Sequence, residues 1–164
     1  MNQAFILSFY EDWEFWTSAI GTLVTVFLGL VVWYSTKKYN KTQIDLTNDR
    51  LQKELFTEFN SRYDELNNYL EIIVKSKTLK SFKKEKDYDQ LSCRLSDYFN
   101  LCAEEYYWYK KGRIDELIWN SWQTGMNSWY NNHPIIREAW EKELKNFGCQ
   151  SFYLKEGERF FKNY

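Results

Sequence analysis

One histidine, one proline, six glycines and three cysteines are spread over 164 residues, and these scarcities exclude a good deal of chemistry. A lone His133 cannot supply a histidine-based metal set, and Cys93, Cys102 and Cys149 show no CxxC spacing, so no metal site is expected. The cysteines read as reduced cytosolic thiols that pack as small hydrophobes. No glycine-rich phosphate cradle and no nucleophile elbow is present. Glu104 and Glu105 are adjacent, hence about 100° apart on a helix, and do not face each other as an acid/base pair. His133 stands before Pro134 in what reads as an interhelical loop, where it caps or meets solvent. The sequence therefore names no catalytic residue and no cofactor, and the expected class is non-enzymatic.

The sharpest absence is of charge. From Phe15 to Thr36 the chain reads FWTSAIGTLVTVFLGLVVWYST, without one Asp, Glu, Lys, Arg or His. As a helix this run is about 33 Å long, enough for a hydrocarbon layer of about 30 Å. Glu11, Asp12 and Glu14 precede it; Lys37, Lys38 and Lys41 follow; Trp13, Trp16, Trp33, Tyr34 and Tyr39 sit at its ends, as interfacial rings do. A buried core helix would be shorter. A cleaved signal peptide would need a basic flank before the run and small residues after it, so the anchor is expected to be retained. All 22 Lys and Arg follow position 36, against 20 of the 23 acidic residues, which places the C-terminal side in the cytoplasm by the positive-inside rule. The expectation is a single-pass protein of the bacterial inner membrane, N-terminus out. Gly21, Thr25 and Gly29, each four apart, give the span a small-residue face for close helix packing.

In chain order, residues 1–14 form an extracytoplasmic tail whose Phe5–Tyr10 cluster reads as interfacial, with N-terminal extension of the membrane helix as the other arrangement. After the span at 15–36, residues 37–164 form one cytosolic helical domain. Within it, 37–75 is a stalk-like helix with a stripe at Ile44, Leu51, Leu55, Phe59, Tyr63, Leu66, Leu70 and Ile73, serving as a core face, an oligomer seam, or both. Residues 76–88 are a basic loop, either solvated or touching anionic groups. Residues 89–164 are an aromatic-rich core: one helix to Gly112, one from Asp115 to the Asn131–Pro134 break, and one from Ile135 to Gly148. The tail from Cys149 reads as a strand pair or a last helical turn. The fold class is all-α.

Binding is better supported than catalysis, because one residue in five is aromatic. Tyr106-Tyr107-Trp108-Tyr109 points rings in every direction, so some are expected to miss a single core. The plain reading is that rings fill volume. The functional reading makes Tyr107, Trp122 and Trp129 platforms for base stacking, with Arg94, Lys110, Arg113 and Arg137 as phosphate contacts. Such interleaving without a strongly basic net charge suits a small nucleotide rather than a long nucleic acid.

The segment DYFNLCAEEYYWYKKGRIDELIWNSWQTGMNSW, Asp97 to Trp129, resembles small bacterial membrane proteins that pair N-terminal spans with a helical cytosolic domain. The shared pattern runs through Tyr98-Phe99-Asn100-Leu101-Cys102, Glu104-Glu105-Tyr106-Tyr107 and Lys110-Lys111-Gly112-Arg113-Ile114. Architecturally the chain also resembles the small membrane-associated effector of type III CRISPR systems. That resemblance implies a cytosolic domain binding a cyclic oligoadenylate, cyclic tetra-adenylate, and a membrane segment producing the antiviral effect. The matching partners are the lipid bilayer and further copies of the chain, as a homo-oligomer and specifically a tetramer. A membrane-anchored interaction scaffold, and a membrane toxin or phage-exclusion protein acting without ligand, are the other readings.

Overall fold

The structure, a computed structural model, describes the backbone of residues 3–162 and the side chains of residues 13–162. Every regular element among them is helical: α1 (Gln3–Ile73), α2 (Leu79–Phe82), α3 (Tyr88–Lys110), α4 (Glu116–Asn132) and α5 (Pro134–Phe147), followed by a 3₁₀ turn at Cys149–Phe152. The chain divides into two compact units, Met1–Thr47 and Asn48–Tyr164.

In the first unit α1 is helical from Gln3, so the backbone ahead of Phe15 is already helix. The Phe5–Tyr10 side chains, read as interfacial, lie outside the described residues. The apolar run reaches a mean hydropathy of 2.0 over 18 residues, and none of that window is buried. Among the described residues this is the one helix long and apolar enough to cross a membrane. Its hydroxyls fold back on the helix: Thr22 Oγ1 donates to the Ser18 carbonyl at 2.9 Å and Thr25 Oγ1 to the Gly21 carbonyl at 2.8 Å. Polar groups are thereby satisfied without water. Residues 37–47 remain exposed, Ile44 with them, which is why the division falls at Thr47 rather than at the end of the apolar run.

In the second unit the stripe of α1 is a core face. Leu55, Phe59, Leu66, Leu70 and Ile73 are buried, with Leu51 and Tyr63 half-buried beside them. The Lys75–Lys86 stretch is tied down rather than loose. Thr78 and Ser81 form a reciprocal capping box for α2, Phe82 is buried with its ring 5.2 Å from Tyr88, and Ser76 Oγ donates to Glu85 at 2.7 Å. Its six lysines are all exposed.

The later boundaries follow local chemistry. Gly112 takes φ +66° just past α3, where its N–H reaches the Tyr109 carbonyl and that of Arg113 the Trp108 carbonyl. Asp115 caps α4 by accepting from the Leu117 N–H at 2.8 Å. Pro134 opens α5 in its first turn, where its missing N–H leaves no bond unmade.

Trp140 of α5 is the hub of the core. It is 1% exposed and meets Phe99 at 5.3 Å, Phe152 at 4.8 Å, Phe160 at 4.8 Å and Phe161 at 5.2 Å between ring centroids. The tail that supplies three of those rings has no strand; beyond its 3₁₀ turn it is irregular through Lys162. Its backbone is held by amides one turn apart on α4. Gln123 donates to the Phe160 carbonyl at 3.1 Å, Asn127 accepts from the Lys162 N–H at 2.8 Å, and Asn131 donates to the Lys162 carbonyl at 3.0 Å.

Trp140→Ala should therefore cost about 3–5 kcal/mol in denaturant unfolding, because four aromatic partners lose one ring. Asn127→Ala should cost about 1–3 kcal/mol by leaving the Lys162 N–H without its acceptor.

Candidate functional site

The seven residues named for ligand contact fall in five different surroundings. Trp122 and Trp129 share the seam between α1 and α4. Trp122 stacks on Phe56 at 6.0 Å, stands edge-on to Phe59, and donates Nε1–H to Asn60 Oδ1 at 3.3 Å. Trp129 donates Nε1–H to the Tyr63 hydroxyl at 2.9 Å and lies 5.1 Å from the His133 ring. Tyr107 packs 5.2 Å from Tyr153, with Lys111 over its face at 5.4 Å.

The four cations do not converge. Lys110 donates to Glu158 at 2.8 Å and to the Tyr153 carbonyl at 3.0 Å, closing the tail onto the end of α3. That carbonyl belongs to the one described non-glycine residue with positive φ, +56°, so Lys110 braces a left-handed turn. Arg94 is exposed, pairs with Asp97 one turn away at 3.2 Å, and lies 5.3 Å over Tyr69. Arg113 is exposed and donates to Asn48. Arg137 sits half-buried, 6.0 Å over the Tyr130 ring. Gly21, Thr25 and Gly29 lie in the exposed run, with open space beside both glycines. The four rings Tyr106 to Tyr109 are all half-buried, so the helix turns none of them wholly into solvent.

What sequence reasoning missed is a cavity of about 150 Å³ on the α1–α4 seam, beside Trp122. Its floor is α3. Tyr98, Cys102 and Glu105 line it, spaced four and three residues apart and so stacked on one helix face. Asn60 and Tyr63 of α1 and Met126 of α4 form walls, and the exposed Ser121 and Gly125 stand at its rim. None of the four cations lines it. The Tyr98 hydroxyl is fully buried with no nitrogen or oxygen partner; the weakly bonding Cys102 thiol stands beside it. Glu105 is 5% exposed, while its neighbour Glu104 turns outward into a bidentate pair with Arg62, at 2.6 and 3.1 Å. The spacing of Glu105 from Cys102 and Tyr109 was the available signal that this carboxyl lies on the apolar stripe of α3.

Burial pushes the Glu105 carboxyl up to about 8; the nearby Arg62 guanidinium opposes this and Glu104 adds to it. Burial likewise pushes the Cys102 thiol and the Tyr98 phenol up. Glu158 shows the opposite response: bonds from Lys110 Nζ and the Lys155 N–H hold it down at about 2. At neutral pH the cavity therefore carries a protonated carboxyl, able to donate as well as accept. Among the described residues no group of three or more His, Cys, Asp or Glu converges to hold a metal.

The chain matches no protein-family model, no curated protein and no solved structure. The class that the fold defines is an all-α protein with one N-terminal helix long and apolar enough to cross a membrane.

The Glu105 shift carries a signed consequence. A carboxyl with a folded value near 8 and an ordinary unfolded value holds its proton only in the folded state across the interval between them, so stability falls as pH rises through that interval and levels off above about 8. Glu105→Gln should remove this slope, giving a variant whose advantage over the parent grows from pH 5 to about 8, read by urea unfolding at a series of pH values.

Proposed function

We propose that this chain is a membrane-anchored, non-enzymatic receptor and effector of bacterial antiviral defence. α1 crosses the inner membrane once with its N-terminus outside, and the helical domain lies in the cytoplasm. The observation that carries this reading is the division of labour along α1: its exposed apolar run needs lipid, while its Leu55–Ile73 stripe belongs to the core of the domain. Whatever shifts the packing of that stripe acts on the same helix that the bilayer holds.

The ligand in this proposal is a cyclic oligoadenylate, cyclic tetra-adenylate, bound by a homotetramer. Support comes from the architectural resemblance, one apolar span followed by a small helical domain, and from the surroundings of the cations. A cavity of about 150 Å³ is far below the 300–1,000 Å³ usual for ligands of drug size, so a cyclic tetranucleotide would lie on exposed faces of several copies around an axis. Arg94 and Arg113, both exposed, would give up only surface contacts, with Asp97 and Asn48, to meet phosphates. Lys110 would first have to leave Glu158, and Arg137 the face of Tyr130. Binding shifts the assembly only by preferring one arrangement of copies over another, with the Gly21–Thr25–Gly29 faces as the place where spans rearrange.

A second reading, a scaffold that recruits another protein, is favoured by Leu117, 80% exposed, and Phe147, 63% exposed, large apolar residues at the surface of the domain.

Titration of the full chain in lipid nanodiscs with cyclic oligoadenylates of several ring sizes tests the first reading. Cyclic tetra-adenylate should give saturable heat, and Arg94→Ala or Arg113→Ala should each weaken it about tenfold or more. Absence of heat with every ring size overturns the ligand, and Leu117-dependent capture of a defined partner would then favour the scaffold.

A further inference from the structure

The cavity beside Trp122 is a built site that the cyclic-nucleotide reading does not use. Its size is set: about 150 Å³, the volume of an engineered cavity known to take benzene. Any ligand is thus a compact molecule of roughly six to eight non-hydrogen atoms. Its chemistry is set by two polar groups that the fold turns into it, the Tyr98 hydroxyl and the Glu105 carboxyl. The Tyr98 hydroxyl is fully buried with no nitrogen or oxygen partner, only the weakly bonding Cys102 thiol beside it, and the Glu105 carboxyl is 5% exposed. Buried polar groups without partners are costly, and their persistence in a cavity calls for an occupant that supplies donors.

The remaining wall selects the sign of the charge. Tyr63, Tyr98 and Trp122 present aromatic groups, Leu101 and Met126 aliphatic ones, and no lysine or arginine enters the lining. Arg62 is the nearest cation bearing on Glu105, and its guanidinium is spent on Glu104. An anion would meet a carboxyl and three π faces with nothing to neutralise it. A cation meets a carboxylate within an aromatic wall, the arrangement that favours an ammonium. A quaternary ammonium would leave Tyr98 and Glu105 without donors. A primary ammonium on a small apolar body carries three donors to offer them.

We propose that this cavity binds a small primary amine, its ammonium donating to the Glu105 carboxylate and the Tyr98 hydroxyl and its apolar body lying against Trp122, Leu101 and Met126. On binding, the protonated carboxyl gives its proton to solvent and the ammonium keeps its own, so each amine bound displaces up to one proton. The groups facing Glu105 from the packed elements are Arg62 and Tyr63 of α1 and Tyr98, Cys102 and Glu104 of α3; the α4 wall contributes Ser121, Trp122, Gly125 and Met126, none of which titrates in this range. Since Glu105 titrates near 8, affinity rises from pH 6 to about 8. The inference does not depend on the cyclic oligoadenylate reading, because the cavity excludes a nucleotide and the cations proposed for phosphate lie elsewhere.

The experiment is calorimetric titration of the full chain in nanodiscs with benzylamine, with benzyl alcohol as the neutral isostere and empty nanodiscs as the blank. Benzylamine should bind saturably, with proton release visible as a dependence of the heat on buffer at pH 7. Benzyl alcohol should bind about tenfold to a hundredfold more weakly, the worth of a charge-assisted bond. Glu105→Gln should reduce benzylamine to the level of the alcohol. Gly125→Leu plugs the rim; a Cβ there meets nothing within 4 Å and the change replaces a helix-weakening glycine, so the variant should fold and bind neither compound. Three results each overturn the proposal: no saturable heat from benzylamine, which would leave ordered water as the occupant; equal affinity for amine and alcohol; or undiminished amine binding by Glu105→Gln or Gly125→Leu.

Discussion

An uncharged run of 22 residues, Phe15 to Thr36, must be covered by something apolar, and nothing in its own fold covers it. That constraint governs how the rest of the chain is spent. Protein cores are made where helices can bury a stripe against one another. The first unit offers no second helix, so the side chains of Phe15–Thr36, Ala19 apart, stay exposed, and Thr22 and Thr25 turn their hydroxyls back on their own backbone. The second unit begins where the same helix acquires a stripe of Leu55, Phe59, Leu66, Leu70 and Ile73, and there α3 and α4 bond to it within one core that α5 also enters.

Inside that unit, packing and polar satisfaction divide the work. Trp140 gathers Phe99, Phe152, Phe160 and Phe161, which fixes the depth of the tail. Gln123, Asn127 and Asn131 fix its register by bonding the backbone that an irregular segment would otherwise bury unpaired. Lys110 and Glu158 close the far side, with Tyr106 donating to the same carboxylate at 2.8 Å. The cavity borders this lattice through Tyr98, 5.9 Å from Phe99, and lies on the α1–α4 seam, where Trp122 and Trp129 spend their N–H groups on Asn60 and Tyr63.

Much of the fold was legible because its signals are local. The charge-free run, the stripe spacing, Asp115 as a cap, Pro134 as a first-turn residue and Gly112 and Gly148 past helix ends all act within one or two turns of where they stand. The tail was not legible, because its conformation is dictated by amides some 31 to 37 residues away on α4. Lys110 read as a free cation for the same reason: its partner Glu158 is 48 residues distant. Glu105 was overlooked because a carboxylate is ordinarily a surface residue, and adjacency to Glu104 gave no clue that one of the two turns inward. Ring positions were visible from spacing, whereas which rings converge is a property of the assembled helices.

The account rests on the claim that the Phe15–Thr36 run resides in lipid while Asn48–Tyr164 folds around its own core. The most direct measurement is alkaline extraction of membranes carrying the full chain beside a Leu23→Arg, Val26→Arg variant. Each buried arginine costs about 2.5–3.5 kcal/mol on insertion scales. The account predicts that the parent stays in the membrane pellet and that the variant moves to the soluble fraction with the thermal transition of its helical domain unchanged. Release of the parent as a folded, monodisperse soluble protein would contradict it.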